Sequence, residues 1–350
     1  MYSKVSTAPF TDSAKSTTLR TFLLWAALLP QVAALFATKS WGSLAVILSA
    51  VLGTALSEAE NLADKRRRRL AIADSLFAGT LTGFFLPPSF PPASVFLLAF
   101  VFMFVTKKAF GPTGTSWLNP VALTVIAAWF VGRAAFGEFA VSGAELSAKN
   151  PSMALIDGAL LANGIDEKIT LFLNDTIFRP FNVSIPNGYV SLFWDNRAAI
   201  PAFRFTLLTM LSSLFLFAFD LKKPAIPLFC LLVYFDLVKF ASPFWTGAPS
   251  MGGDVLLALL SSGFFFAAVF LLQWPGTCPS SLFGKIVYAV CSGIFAFAFC
   301  GTGTSPAGAA LTILFANIIS PALQVLENRR LRKKLSALLA AKLEAKEAEQ

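Results

Sequence analysis

The sequence predicts an all-α polytopic membrane protein of about ten transmembrane helices, arranged as two inverted five-helix repeats. Three observations predict it. The chain is too apolar for a water-soluble core, its basic residues fall on alternate turns, and one phrase is spelled twice.

Of 350 residues, 56% are hydrophobic and 37 are Phe, whereas only 13% are charged. A typical soluble domain carries about 25% charged residues. Lipid is therefore the expected solvent for the surplus apolar surface. The chain contains no His, which removes the commonest metal ligand and general base. Cys230, Cys278, Cys291 and Cys300 lie in or beside apolar stretches without C-x-x-C spacing, so they read as buried thiols and not as an iron–sulfur or zinc site. No nucleophile elbow, phosphate loop or metal cluster is present, and no catalytic residue is assigned. The polar first twenty residues do not read as a cleavable signal peptide.

A bilayer crossing takes about 20 apolar residues, fewer where the helix is broken or buried in a bundle. Ten segments qualify: roughly 20–37, 43–60, 70–86, 92–106, 119–136, 200–219, 224–241, 254–273, 285–300 and 305–323. With the N-terminus in the cytoplasm, alternation places twenty Lys/Arg inside and six outside. The inside set includes Lys65 with Arg66–Arg69, Lys107 with Lys108, Lys222 with Lys223, and the tail from Arg329. Removing any one span would put a basic cluster on the wrong side. The net charge of +9 is thus an orientation signal and not a nucleic-acid footprint.

Four regions follow. Residues 1–136 form the first five-span repeat, 137–199 a long outside segment, 200–323 the second repeat, and 324–350 a basic cytoplasmic helix. That helix reads as a solvated surface that could also dock a partner or lie near anionic lipid.

"GPTGTSWLNPVALT" at 111–124 returns as "GTGTSPAGAALT" at 301–312, and "DSLFAGTLTGFF" at 74–85 returns as "DVLLALLSSGFF" at 254–265. Five spans separate the copies, and an odd number makes them cross in opposite directions. Inverted repeats place their site near the midplane where the halves meet. The Pro-rich runs "LPPSFPP" and "QWPGTCPSS" follow the matching segments, as broken spans require. Asp74 and Asp254 read as helix N-terminal caps. Asp236 and Lys239, in "VYFDLVKF", are charges within a span at a spacing that allows pairing on one helix face, which makes them candidates for an ion pathway. Asn119 and Gly263, with the "TGTS" segments, are positional candidates for the central site.

These features resemble the D subunit of Rnf-type ion-translocating oxidoreductases and its relative, the B subunit of Na+-translocating NADH–quinone reductase. The resemblance rests on "STAPFT", "DSLFAGTLTGFFLPPSFPP", "KKAFGPTGTSWLNPVAL" and "PAGAALTILFANIISPAL", and it covers nearly the whole chain. It implies a subunit of a multi-subunit complex in the cell inner membrane, with both termini cytoplasmic. Such a complex passes electrons through flavins and couples this to Na+ or H+ movement, so the chain is part of a translocase rather than an enzyme alone.

It also implies an FMN bonded through its phosphate to a Thr in an Asp–Gly–x–Ser–x–Ala–Thr motif, and a second, non-covalent riboflavin. The matching place reads "IDGALLANGID", residues 156–166. Asp157, Gly158 and Ala162 keep the pattern, Leu160 replaces Ser, and Asn163 stands at the acceptor position. An amide has no hydroxyl for a phosphoester, so covalent FMN is not expected, and any riboflavin or FMN is held non-covalently. Trp274 replaces the acid of the family's Thr–Asp–Pro turn, and "LLSSGFFFAAVF" lacks a further family Thr. The alternative reading is an inverted-repeat transporter or channel, or a non-redox scaffold subunit of such a complex.

Overall fold

Large apolar side chains cover much of the outer surface of this protein as well as its core, and a set of polar side chains is buried inside. In the computed structural model, which describes residues 16–111, 114, 116–136, 164–182, 184–185, 187–242, 255–301 and 305–348, Leu48, Leu52, Leu97, Phe130, Leu214 and Leu232 are exposed. The interior holds Gln31, Thr54, Thr209 and Ser212, each bonded within the protein. Gln31 Nε2 donates to Thr209 Oγ1 at 3.0 Å, Ser212 Oγ to the Ala27 carbonyl at 2.7 Å, and Thr54 Oγ1 to the Ser75 carbonyl at 2.9 Å. A lipid environment requires this distribution, because unsatisfied polar groups have no water to turn to.

The described residues are helical, with no strand among them. The first part comprises α1 (Thr17–Ala26), α2 (Leu29–Ala37), α3 (Trp41–Ser57), α4 (Ala59–Ala63), α5 (Arg68–Phe84), α6 (Pro92–Phe110) and α7 (Pro120–Val131). Then come α8 (Gly164–Leu173), α9 (Tyr189–Asp195), α10 (Pro201–Arg204), α11 (Thr206–Ala218) and α12 (Ala225–Asp236). The last elements are α13 (Val255–Ser261), α14 (Phe264–Phe270), α15 (Leu282–Cys300) and α16 (Gly308–Ala348).

Four helical stretches are long and apolar enough to cross a membrane: Thr17–Ala37, Pro92–Phe110, Leu282–Cys300 and Gly308–Leu339. Trp41–Ser57, Pro120–Val131 and Thr206–Ala218 are shorter apolar helices. The remaining predicted spans are charged at their start (α5), continued by a π-helical turn (α12, then Leu237–Ala241) or interrupted (α13 and α14).

Two features differ from the sequence expectation. The last span and the charged tail are one helix, α16, which runs on through Pro321. The long segment after α7 is not loop alone: its described part holds α8, a π-helical turn at Asn174–Phe178, and α9.

Small residues set the packing. Gly79 and Gly83 lie one turn apart on α5, where an added Cβ would come within 2.5 Å of the Cα atoms of Val51 and Ile47 on α3. Gly53 of α3 approaches the Phe96 carbonyl on α6 just as closely. Close backbone approach through Gly replaces the hydrophobic driving force that lipid removes.

Turn-to-turn contacts fall into two sets. In one, Arg20 Nη2 donates to the Leu221 carbonyl at 2.7 Å, Lys222 to the Gln273 carbonyl, and Gly276 lies against the backbone of Gly114 and Ser116. In the other, Gly42 meets Pro88, Ser89 donates to the Ala135 carbonyl, and Arg204 Nη1 donates to Ser40 Oγ at 2.9 Å.

Candidate functional site

The interior site is built on a helix that stops early. α13 ends at Ser261, and Gly263 follows with φ +65°, a left-handed conformation that suits Gly. A Cβ there would overlap the Phe203 ring. Gly263 is therefore the floor on which Phe203 sits, and the Phe203 ring in turn contacts Phe85 edge-on. α14 then runs only to Phe270, and the carbonyls of the three following residues leave the helical ladder.

A helix end inside a bundle needs donors for those carbonyls. Three come from three different elements. Asn119 Nδ2, at the start of α7, donates to the Leu271 carbonyl at 3.1 Å. Tyr288 OH, on α15, donates to the Leu272 carbonyl at 3.0 Å. Lys222, in the turn between α11 and α12, donates to the Gln273 carbonyl. All three side chains are buried. Asn119 does double duty, since its Oδ1 also accepts from the Val121 and Ala122 amides at 2.9 and 3.2 Å and so caps α7. Its amide is thereby fully engaged.

Next to this junction Trp274 stacks on Phe77 of α5, with ring centroids 5.5 Å apart and planes 10° apart. Ser320 of α16 donates to the Thr277 carbonyl, and one turn earlier Asn317 is fully buried with neither amide atom bonded. Burial without a carboxylate partner drives the Lys222 ammonium down to about 7, with the Arg20 charge adding to the shift. The nearby Cys278 acts in the opposite sense.

A second polar centre joins the starts and ends of α3 to α6. Lys107 bonds both Glu58 and Asp74, the latter at 2.5 Å, with side-chain exposures of 12%, 7% and 4% in that order. Glu58 Oε2 also accepts from Asn61 Nδ2 at 2.5 Å. Asp74 is not the helix cap that its position suggests: α5 begins at Arg68, and Asp74 lies two turns inside it. Two acids around one ammonium, all buried, make a compact charged cluster.

The other sequence candidates divide. Asp236 and Lys239 are both exposed, and no ion pair joins them among the described residues. The π-helical turn Leu237–Ala241 widens the spiral, so the i, i+3 register no longer brings the two side chains together. Asp157, Gly158, Asn163 and Asp254 lie outside the described residues, as do two of the four residues of the first "TGTS" segment and three of the four of the second.

Just beyond Asn163, Asp166 is anchored firmly. Its carboxylate accepts from the Gly188 and Ser191 amides at 2.8 and 2.7 Å, from Ser191 Oγ at 2.6 Å and from Thr170 Oγ1 at 3.1 Å. These donors outweigh its burial and hold the carboxyl below the usual range. The stretch after the degenerate motif is thus pinned to the start of α9.

For a flavin, the interior offers little at the two positions to which the sequence points. Asn119 has no free amide atom, and Phe203 fills the space above Gly263. Among the described buried side chains, Asn317 has both amide atoms without a partner, and the Tyr234 and Ser75 hydroxyls are also unbonded. Glu58, Lys107, Tyr288 and Lys222 do not stand out in the sequence. Glu58 and Lys107 could have been found from the topology, which brings the turn after α3, the start of α5 and the end of α6 to one side.

A family model described as the NQR2, RnfD, RnfE family matches residues 4–332. The D subunit of the ion-translocating oxidoreductase complex of Shigella boydii serotype 18 is 24% identical over 355 aligned positions, covering 92% of this chain and 96% of that protein. The protein of the same name from Salmonella paratyphi A is 25% identical over the same coverage.

Proposed function

Since the chain belongs to the NQR2, RnfD, RnfE family, we propose that it is the D-type membrane subunit of an ion-translocating oxidoreductase complex. The observation that carries this reading is the extent of the match, which spans nearly all of the chain and leaves only residues 1–3 and 333–350 outside. In this role the chain works with other membrane subunits, and electron transfer through flavin is coupled to Na+ or H+ movement.

The architecture we propose is ten crossings in two inverted halves, with both termini cytoplasmic in the inner membrane. Contacts among the ends at 40–42, 88–89, 135 and 204 support placing these turns on one side. The excess of Lys and Arg on alternate turns supports the orientation. The outward segment 137–199 would then carry the degenerate flavin motif.

A flavin bound to this chain would supply the capacity to accept and pass on electrons. We propose that it is held without a phosphoester, because Asn163 carries an amide where the acceptor hydroxyl belongs. Asp157 and Gly158 retain the motif's opening, and Asp166 fixes the chain just after it. For ion handling, the buried cluster of Glu58, Asp74 and Lys107 is favoured over the exposed Asp236 and Lys239. Buried charges are costly and persist where they are paired or used.

The test is the absorbance of the purified, detergent-solubilised protein in the flavin bands, with its intact mass, before and after denaturation. Flavin released on unfolding from a chain of unmodified mass is the expected result. Flavin that stays attached would refute the non-covalent assignment. A preparation that retains partner subunits but holds no flavin would point to a non-redox scaffold.

A further inference from the structure

We propose that the groove between the C-terminal helix and the start of α15 binds an anionic phospholipid, with the phosphate held by Arg330, Lys333 and Lys334. The cavity there measures about 710 Å³, in the range of pockets that hold small molecules. One wall is the turn and first residues of α15, Ser280 to Gly284. The other is the face of α16 on which Leu323, Leu326, Glu327, Arg330, Lys333 and Lys334 recur at helical spacing.

The two ends of the groove differ in chemistry. Phe283 and Leu326, both lining the groove, are 61% and 53% exposed. These side chains stand where the apolar part of α16 gives way to charge, the pattern expected at an acyl–headgroup boundary. Above them, five of the six residues from 329 to 334 are Arg or Lys. No ion pair involves any of the five among the described residues. An apolar floor below an unneutralised basic rim complements a molecule with acyl chains and a negative headgroup.

The one acid in the groove is already committed. Glu327 accepts from the Ser280 amide and hydroxyl at 3.0 and 2.8 Å, and from the Ser281 amide and hydroxyl at 3.2 and 2.5 Å. It therefore closes the turn that leads into α15, whose Gly284 amide donates to Ser281 Oγ at 3.0 Å. Arg330 lies over the Phe283 ring at 5.3 Å, which joins rim to floor. A free inorganic anion would use the rim but gain nothing from the floor, and that difference selects the lipid.

The experiment is native mass spectrometry of the purified full-length protein, with any partner subunits retained, titrated with phosphatidylglycerol or phosphatidylcholine. The variant Arg330→Gln/Lys333→Gln/Lys334→Gln removes the rim, and Arg66→Gln/Arg68→Gln/Arg69→Gln removes equal charge from another exposed cluster. Phosphatidylglycerol should bind at least tenfold more tightly than phosphatidylcholine. The rim variant should lose at least tenfold in phosphatidylglycerol affinity, and the control variant should keep it. Equal binding of the two lipids, or equal loss in both variants, would overturn the proposal. Displacement of phosphatidylglycerol by inorganic phosphate at matched concentration would reassign the rim to free anions. A photoactivatable phosphatidylglycerol on the unmodified protein gives a reading independent of variant folding: labelling should fall on 282–283 and 323–334. Protection of Arg330, Lys333 and Lys334 by a retained subunit without lipid would instead assign the groove to a protein partner.

Discussion

The two copies of one phrase, "DSLFAGTLTGFF" and "DVLLALLSSGFF", make two different structures. The first is part of α5, which runs unbroken from Arg68 to Phe84. The second is cut between α13 and α14 at Ser262 and Gly263. Gly83 and Gly263 hold equivalent places, yet they serve different ends. Gly83 lets α5 touch the backbone of α3, whereas Gly263 turns the chain left-handed under the Phe203 ring. The need for a missing Cβ is shared between the copies, but the neighbour that imposes it is not.

The cost of each solution also differs. The intact copy keeps its ladder but carries Asp74 into the interior, where Lys107 must neutralise it together with Glu58. The broken copy leads into the short α14, beyond whose end the carbonyls at 271–273 are met by Asn119, Tyr288 and Lys222. The first half is closed by charge and the second by hydrogen bonds to backbone.

The largest effect should come from breaking the charged closure. Lys107→Met leaves two buried carboxylates without a counter-ion, and removal of one partner of a buried ion pair costs about 3–5 kcal/mol. Thermal unfolding in detergent should show a marked loss. Adding Asp74→Asn to Lys107→Met should recover part of it, because one buried charge is then removed. An additive second loss would show that the cluster does not act as a unit.

Exchanging the glycines separates the two kinds of close approach. Gly263→Ala meets a ring and a left-handed backbone, for a combined cost of about 3 kcal/mol. Phe203→Leu in the same chain should return some of that stability by making room. Gly83→Ala meets the Cα of Ile47 at 2.5 Å, so trimming the Ile47 side chain should return little. If both pairs rescue equally, the distinction between ring and backbone contact fails.

The hydrogen-bonded closure should be weaker per group. Tyr288→Phe leaves the Leu272 carbonyl with Cys278 Sγ, at 3.6 Å, as its remaining side-chain partner, and an unsatisfied buried group costs about 1–3 kcal/mol. Unfolding midpoints of Tyr288→Phe and Lys107→Met, measured side by side, should rank in that order.

Much of this comparison is legible in the sequence, though not its physical reasons. Apolar runs mark where helices form, and the repeated phrase marks which helices correspond. Gly263 stands out as a Gly, but the ring that requires it is sixty positions earlier in the chain, where no local pattern could reveal it. Asp74 looks like a cap because the basic run before it resembles a turn; the turn ends at Arg67, and Arg68 and Arg69 are already helical. Asp236 and Lys239 look like a pair because a regular α-helix would bring them together, and the π-helical turn breaks that register. The carbonyls at 271–273 could not be matched to donors from sequence, since Asn119, Lys222 and Tyr288 come from three separate elements. The flavin-motif residues Asp157, Gly158 and Asn163 rest on the resemblance alone.

The smallest expected effect is also the one with a sign that can be worked out. Lys222 closes the broken copy with a group that titrates at about 7 in the folded protein, against 10.5 for an unperturbed lysine. Below about pH 7 the side chain is protonated in both folded and unfolded chains, so burial of the ammonium weighs fully against folding. Between about 7 and 10.5 the unfolded chain binds more protons, and stability therefore rises with pH. The neutral amine still has N–H groups to donate to the Gln273 carbonyl, so the closure survives deprotonation. Lys222→Met removes the titrating group and should flatten this dependence. Measured at pH 6, 7.5 and 9, the unfolding midpoint of the wild type should gain on that of Lys222→Met as pH rises. A parallel pair of curves would mean that Lys222 stays charged when folded, and that the carbonyl end of α14 holds a cation there at every pH.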